Sequence, residues 1–185
     1  MFPVVLDLKK VNILLIGDDI ATLRRLKLFR DAKIKNFLVY SKNPSEELEE
    51  LAGSRLVRFY PRKWQVRNFD VVFVADLDNE LSRKYYRLAK KCHKLVNVED
   101  KKRFCDFHVP AIVRRGDLLI TSSTCGKSPT IARMVKEKLA GIFDESWADK
   151  LVRVANLRDK LRKKGADFVE IKEKSEEFIG KEGWF

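Results

Sequence analysis

Val11-Asn-Ile-Leu-Leu-Ile-Gly-Asp-Asp-Ile-Ala-Thr22 is the stretch that decides the fold. Residues 11–16 are a short, nearly continuous apolar run, the pattern of a strand buried on both faces, and the run stops at Gly17. From Ile20 to Ala32 the period changes, and Ile20, Leu23, Leu26 and Phe29 form a helical stripe. A strand passing through a single glycine into a helix opens a parallel α/β sheet, and the same grammar continues outward. Phe37–Tyr40 reads as a second strand with Asn43-Pro44 in its loop, and Leu56–Tyr60 as a third. Asp70–Ala75 is a buried strand followed by a basic helix over about residues 78–91, and Leu95–Val98 closes the series. This alternation predicts a parallel sheet with right-handed crossovers.

Beyond about residue 108 the pattern changes. Val109–Val113 and Leu118–Ser122 read as two strands separated by Arg114-Arg-Gly-Asp117, a gap the size of a hairpin turn. Ser128-Pro129 is a helix start, with serine at the cap and proline in the first turn, and Ile131, Val135, Leu139 and Ile142 share one face. Two charged helical stretches follow, roughly 146–163 and 167–180, broken at Gly165. The expected organisation is 1–108, an α/β sheet domain; 109–145, a small α+β segment; and 146–185, a helical region.

Composition excludes several classes. The 185 residues are 45% hydrophobic and 36% charged, which is not the composition of a disordered chain, a collagen or a disulfide scaffold. Cys92, Cys105 and Cys125 form no C-x-x-C pair, an odd and scattered set that suits a reducing compartment. The N-terminus has no basic n-region or cleavage site, and the apolar runs fall far short of the roughly 20 residues of a membrane span. The expectation is a cytoplasmic protein with no membrane contact. Lys plus Arg outnumber Asp plus Glu by 39 to 27, giving +12, so polyanionic partners are favoured without being specified.

The Gly17 turn stands where a dinucleotide pyrophosphate would meet helix N–H groups. A full fingerprint reads G-x-G-x-x-G, and here Gly17-Asp18-Asp19-Ile20-Ala21-Thr22 keeps only the first glycine. Taken alone, the stretch reads first as an ordinary strand–helix turn with an aspartate cap, and its cofactor signal is weak. No carboxylate for a ribose hydroxyl follows the second strand at Tyr40-Ser41. Cys125-Gly-Lys-Ser128 is not a P-loop, because Thr121 stands where its first glycine is required. What remains is a hydroxyl-rich turn, Thr121–Thr124, leading to a capped helix with Lys127 beside it, which suits an anion or a plain structural turn. Cys92-His93 and Cys105-x-x-His108 lack the tight ligand pairs of structural zinc, so no metal site is expected. Lys160–Lys164 reads as a solvated helix face, and nucleic acid is disfavoured as a partner. Asp100, just after the Leu95–Val98 strand, is either a helix cap or a group at the ligand edge of the sheet.

Together these motifs resemble one family. Phe2-Pro-Val-Val-Leu-Asp-Leu-Lys9, Asn97-Val-Glu-Asp100, Cys105-Asp-Phe-His-Val-Pro-Ala-Ile-Val113, Ser123-Thr-Cys-Gly-Lys-Ser-Pro129 and Ala132-Arg133 follow, in order, the pattern of siroheme synthase dehydrogenase/ferrochelatase proteins over about residues 2–143. The resemblance implies a Rossmann domain, a dimerisation region, a helical C-terminal region and a homodimer. It implies NAD-dependent oxidation of precorrin-2 to sirohydrochlorin, with Fe2+ as a candidate chelation substrate. By that pattern Asp100 is the catalytic carboxylate. Gly17, Asp18, Asp19, Ile20, Ser41, Ala75 and Asp76 would line the cofactor, and Asn97, Ser123, Thr124, Lys127 and Ser128 would meet a polycarboxylate tetrapyrrole. The family's glycine-rich turn is replaced by Asp18 and Asp19, whose charges near a pyrophosphate would each cost on the order of 1 kcal/mol. The expectation therefore divides: NAD bound in an adjusted pose, or an oxidative step lost, leaving a chelatase or a tetrapyrrole carrier.

Overall fold

The chain divides into two compact units, Met1–His108 and Val109–Phe185, each described by itself. The structure is a computed structural model describing residues 1–7 and 9–185; Leu8, within the quoted N-terminal motif, lies outside the described residues.

The first unit runs β1 (Ile13–Ile16), α1 (Ile20–Asp31), β2 (Phe37–Tyr40), α2 (Glu46–Ala52), β3 (Leu56–Val57), α3 (Lys63–Val66), β4 (Val71–Val74), α4 (Asn79–Lys91) and β5 (Leu95–Val98). All strand pairs are parallel, in the order β3-β2-β1-β4-β5. The chain steps outward from β1 to β3, then returns to the other side of β1. That reversal opens a crevice at the carboxyl ends of β1 and β4, where ligands bind in such sheets.

The buried strands are hydrophobic on both faces because both are covered. Leu14, Ile16, Val72, Val74, Val96 and Val98 face a core completed by Val66, Tyr85 and Ala89 from α3 and α4. On the other face Phe29 of α1 meets Phe73 at 5.2 Å and Phe37 at 5.8 Å between ring centroids. Residues two apart on one strand thus serve one core, as the pleat requires.

Three sequence expectations shift. The third strand keeps only Leu56 and Val57, because the chain then leaves the sheet edge toward Tyr60. Two short helices, α2 and α3, were not expected; four and seven residues are too few to show a helical period. The first strand begins at Ile13, since Asn12 is tied at its own N–H to the Asp70 carboxylate, 2.9 Å away.

The second unit contains an antiparallel hairpin, β6 (Ala111–Arg115) and β7 (Leu118–Ser122), with α5 (Pro129–Ile142), α6 (Trp147–Lys163) and α7 (Phe168–Lys181). The expected four-residue gap shrinks to Gly116-Asp117, with Gly116 at φ +57°, as a two-residue hairpin turn requires. Arg115 bonds the carbonyls of Phe143 (2.8 Å) and Ala140 (3.3 Å), satisfying acceptors that the end of α5 leaves open. Among the described residues no helix is long and apolar enough to cross a membrane.

Candidate functional site

Gly17 ends β1, and the structure shows why no other residue fits there. A Cβ on Gly17 would lie 2.0 Å from Thr22 Oγ1 and 2.3 Å from the Ala75 carbonyl oxygen. The backbone of the turn therefore lies against the end of β4, as the first glycine of a dinucleotide turn does. Thr22 stands where the third glycine of the fingerprint would be. Its side chain is fully buried under Gly17, and its hydroxyl is the one buried side-chain polar atom without a hydrogen-bond partner among the described residues.

The cap of α1 corrects the sequence reading. Asp19 occupies the cap position, yet its side chain makes no capping bond. The carboxylate that serves this helix belongs to Asp76, 54 residues away, which accepts the Thr22 N–H at 2.6 Å. Asp76 follows β4 with φ +53°, a left-handed conformation that turns the chain immediately after Ala75. The N–H groups of Ile20 and Ala21 carry no hydrogen bond among the described residues, so part of the anion-binding end of the helix stays open.

Asp18 is oriented differently from the expectation that it would confront a pyrophosphate. Its Oδ1 accepts bonds from Ser41 Oγ (2.7 Å), the Lys42 N–H (2.7 Å) and the Asn43 N–H (3.2 Å), and its Oδ2 accepts the Tyr60 hydroxyl. The side chain is thus engaged at the end of β2 by four donors. Burial works to raise its pKa, but these four donors outweigh burial and hold the carboxyl below the ordinary aspartate value. Tyr60 is pushed up in turn, first by burial and then by donating to Asp18. Ser41 is fully buried and spends its hydroxyl on Asp18. Sequence reasoning missed Tyr60 altogether; 42 residues separate it from Asp18, and no local pattern marks it.

At the far side of the crevice stands Asp100, two residues beyond β5, exposed, at φ +58°. Its neighbour Glu99 is tied to Arg25 of α1 at 3.1 Å, and Lys101 Nζ donates to the Leu77 carbonyl at 3.1 Å. The carboxylate of Asp100 makes no hydrogen bond or ion pair among the described residues. Asn97 is buried, and its amide donates to the Phe107 carbonyl at 2.9 Å, so it braces the loop behind Asp100. The structure thus gathers Gly17, Asp18, Asp19, Ile20, Ser41, Ala75, Asp76 and Asp100 along one edge of the sheet. A hollow of about 510 Å³ beside Asn12, Asn36 and Trp64 opens at the opposite edge, away from this constellation.

The hydroxyl-rich turn lies in the second unit. Thr124 Oγ1 both donates to the Ser128 carbonyl and accepts its N–H, each at 3.0 Å. Ser123 accepts the Cys125 N–H at 3.2 Å, and Ser128 caps α5 through the Ile131 N–H at 3.2 Å. The hydroxyls build the turn and the exposed Lys127 is presented at its tip.

These features fit a dinucleotide: a strand–glycine–helix turn at the carboxyl end of the sheet, N–H groups at the start of α1 with no partner among the described residues, and an Asp18 carboxylate engaged by donors at the end of β2. Comparison with known proteins agrees. The chain is 28% identical over 166 residues to the siroheme synthase of Neisseria meningitidis serogroup C (strain 053442), covering 88% of this chain and 34% of that protein. It is 29% identical over 165 residues to the siroheme synthase of Zymomonas mobilis, covering 88% and 35%. The chain thus spans about a third of the length of these relatives. Among solved structures it resembles "SirC, precorrin-2 dehydrogenase", with a TM-score of 0.77, 24% identity, and coverage of 97% of this chain and 89% of that one, a likeness of fold. A family model described as "Putative NAD(P)-binding" matches residues 4–111, more than half of the chain, and to that family the chain belongs.

Proposed function

We propose that this protein oxidises precorrin-2 to sirohydrochlorin with NAD+ as the hydride acceptor. The observation that carries the reading is the sheet edge itself, where the Gly17 turn and the Asp100 carboxylate flank one crevice. The names of the relatives supply the substrate. Bound NAD+ supplies the two-electron acceptor. The Ile20 and Ala21 N–H groups would hold its diphosphate. Asp100 takes the proton that the macrocycle loses as its hydride departs, so that one hydride and one proton leave together. The +12 chain favours that polyanion.

The reading includes a homodimer. Ile131, Met134, Val135 and Ile142 on α5 are 55%, 58%, 41% and 59% exposed, an apolar stripe at helical spacing that a partner subunit would cover. A ferrous chelation step at the same carboxylate is the second reading, favoured by an Asp100 carboxylate without a hydrogen-bond or ion-pair partner among the described residues; Fe2+ is then a substrate.

Anaerobic incubation with precorrin-2 and NAD+ tests the proposal, with NADH and sirohydrochlorin followed together. Matched formation of both is expected, and Asp100→Ala should abolish turnover while leaving NAD+ affinity within about twofold. If neither product forms while added sirohydrochlorin takes up Fe2+, the oxidative reading falls and the chelatase stands.

A further inference from the structure

The β2 edge holds an anion cradle that is filled from inside the chain. Two main-chain N–H groups (Lys42 and Asn43) and two hydroxyls (Ser41 and Tyr60) converge on one carboxylate, that of Asp18. A carboxylate offers about four lone-pair positions, and four donors occupy them. Asp18 is therefore saturated as an acceptor.

The position of this cradle gives it a meaning. In a sheet of this order the adenosine ribose of a dinucleotide lies at the end of β2, where an acidic side chain about 20 residues beyond the turn receives the 2′-hydroxyl, or a basic one receives a 2′-phosphate. Here Ser41, Lys42 and Asn43 follow β2 directly. Their donors would suit a phosphate, since convergent N–H and O–H groups are how such anions are held. Asp18, arriving from the Gly17 turn, already takes every one of them. Its depressed pKa keeps it charged at neutral pH.

We propose that Asp18 is the specificity-determining residue for the cofactor: by filling the cradle of Ser41, Lys42, Asn43 and Tyr60 with a fixed negative charge, it excludes dinucleotides that carry a 2′-phosphate. The inference rests on the dinucleotide reading above and goes beyond it by naming the group that selects the cofactor. A ribose hydroxyl is neutral, and can both donate and accept, so it tolerates this neighbour. A phosphate with charge between −1.5 and −2 finds its donors taken and a carboxylate in their midst.

Titration calorimetry of the full chain with NAD+ and NADP+ separates the possibilities without recourse to turnover. The wild type should bind NAD+ at least a hundredfold more tightly than NADP+. Asp18→Gly empties the cradle and should cut that ratio to below tenfold, chiefly through tighter NADP+ binding. Asp18→Asn keeps the shape and removes the charge, and should shift the ratio in the same direction by at least fivefold; circular dichroism confirms that each variant is folded. A wild type that binds both cofactors equally, or a ratio unchanged in both folded variants, overturns the role of Asp18 while leaving the dinucleotide reading in place. Binding of neither cofactor overturns the dinucleotide reading and the selectivity with it.

Discussion

Replacing Gly17 by alanine adds one methyl group at the tightest point of the crevice. The new Cβ would meet Thr22 Oγ1 at 2.0 Å and the Ala75 carbonyl oxygen at 2.3 Å, whereas ordinary contact begins near 3.4 Å, so each neighbour must retreat by more than 1 Å. Thr22 is fully buried, and the other obstacle is buried main chain directly after the central strand β4, so neither yields cheaply. Overpacking of this kind costs about 3 kcal/mol. At roughly 2–4 °C per kcal/mol for a chain of this size, the melting temperature should fall by roughly 6–12 °C. Scanning calorimetry measures the shift, and hydrogen exchange over β1 and β4 localises it. A second variant, Gly17→Ala with Thr22→Ala, removes one obstacle and leaves the Ala75 carbonyl, so it should recover only part of the loss. Gly180, in α7, provides the control, because nothing lies within 4 Å of its Cβ position. There the same substitution should stabilise the protein by about 0.5 kcal/mol through helix propensity. Equal effects at Gly17 and Gly180, or full recovery in the double variant, would refute the contact geometry at the β1–β4 junction.

The remaining predictions concern polar groups around the same edge. Thr22→Val removes a buried hydroxyl that has no hydrogen-bond partner among the described residues and should stabilise the fold by about 1 kcal/mol, read as a raised urea midpoint. Arg25→Met strands Glu99, whose only ion-pair partner among the described residues is Arg25; with side chains 11% and 20% exposed, the loss should be about 2 kcal/mol, and adding Glu99→Gln should restore most of it. Because the folded-state pKa of Asp18 lies below its ordinary value of 3.8, its contribution is present at neutral pH and is lost as pH falls below about 4. The urea midpoint of the wild type should therefore drop more steeply between pH 5 and pH 3 than that of Asp18→Asn; parallel curves would refute this role for the cradle.

The order of strands and helices was legible in the sequence because two periods carry it. Apolar runs over residues 13–16 and 71–74 read as strands covered on both faces, and the stripe through Leu23, Leu26 and Phe29 reads as a helix lying on them. Gly17, the change of pattern after residue 108 and the position of Asp100 follow from local spacing. What the side chains at the crevice do was decided elsewhere. Asp18 and Asp19 look alike in the sequence, two carboxylates after one glycine, yet Asp18 is drawn into a cradle built by residues 23 to 42 positions away, while Asp19 stays exposed. The cap expected from an aspartate of the Gly17 turn comes from Asp76, which the pairing of β1 with β4 brings to the start of α1. The sequence determines the elements because their periods are local properties of the chain. Hydrogen-bond partners at a sheet edge are fixed by strand order and register, and these exist only once the chain has folded.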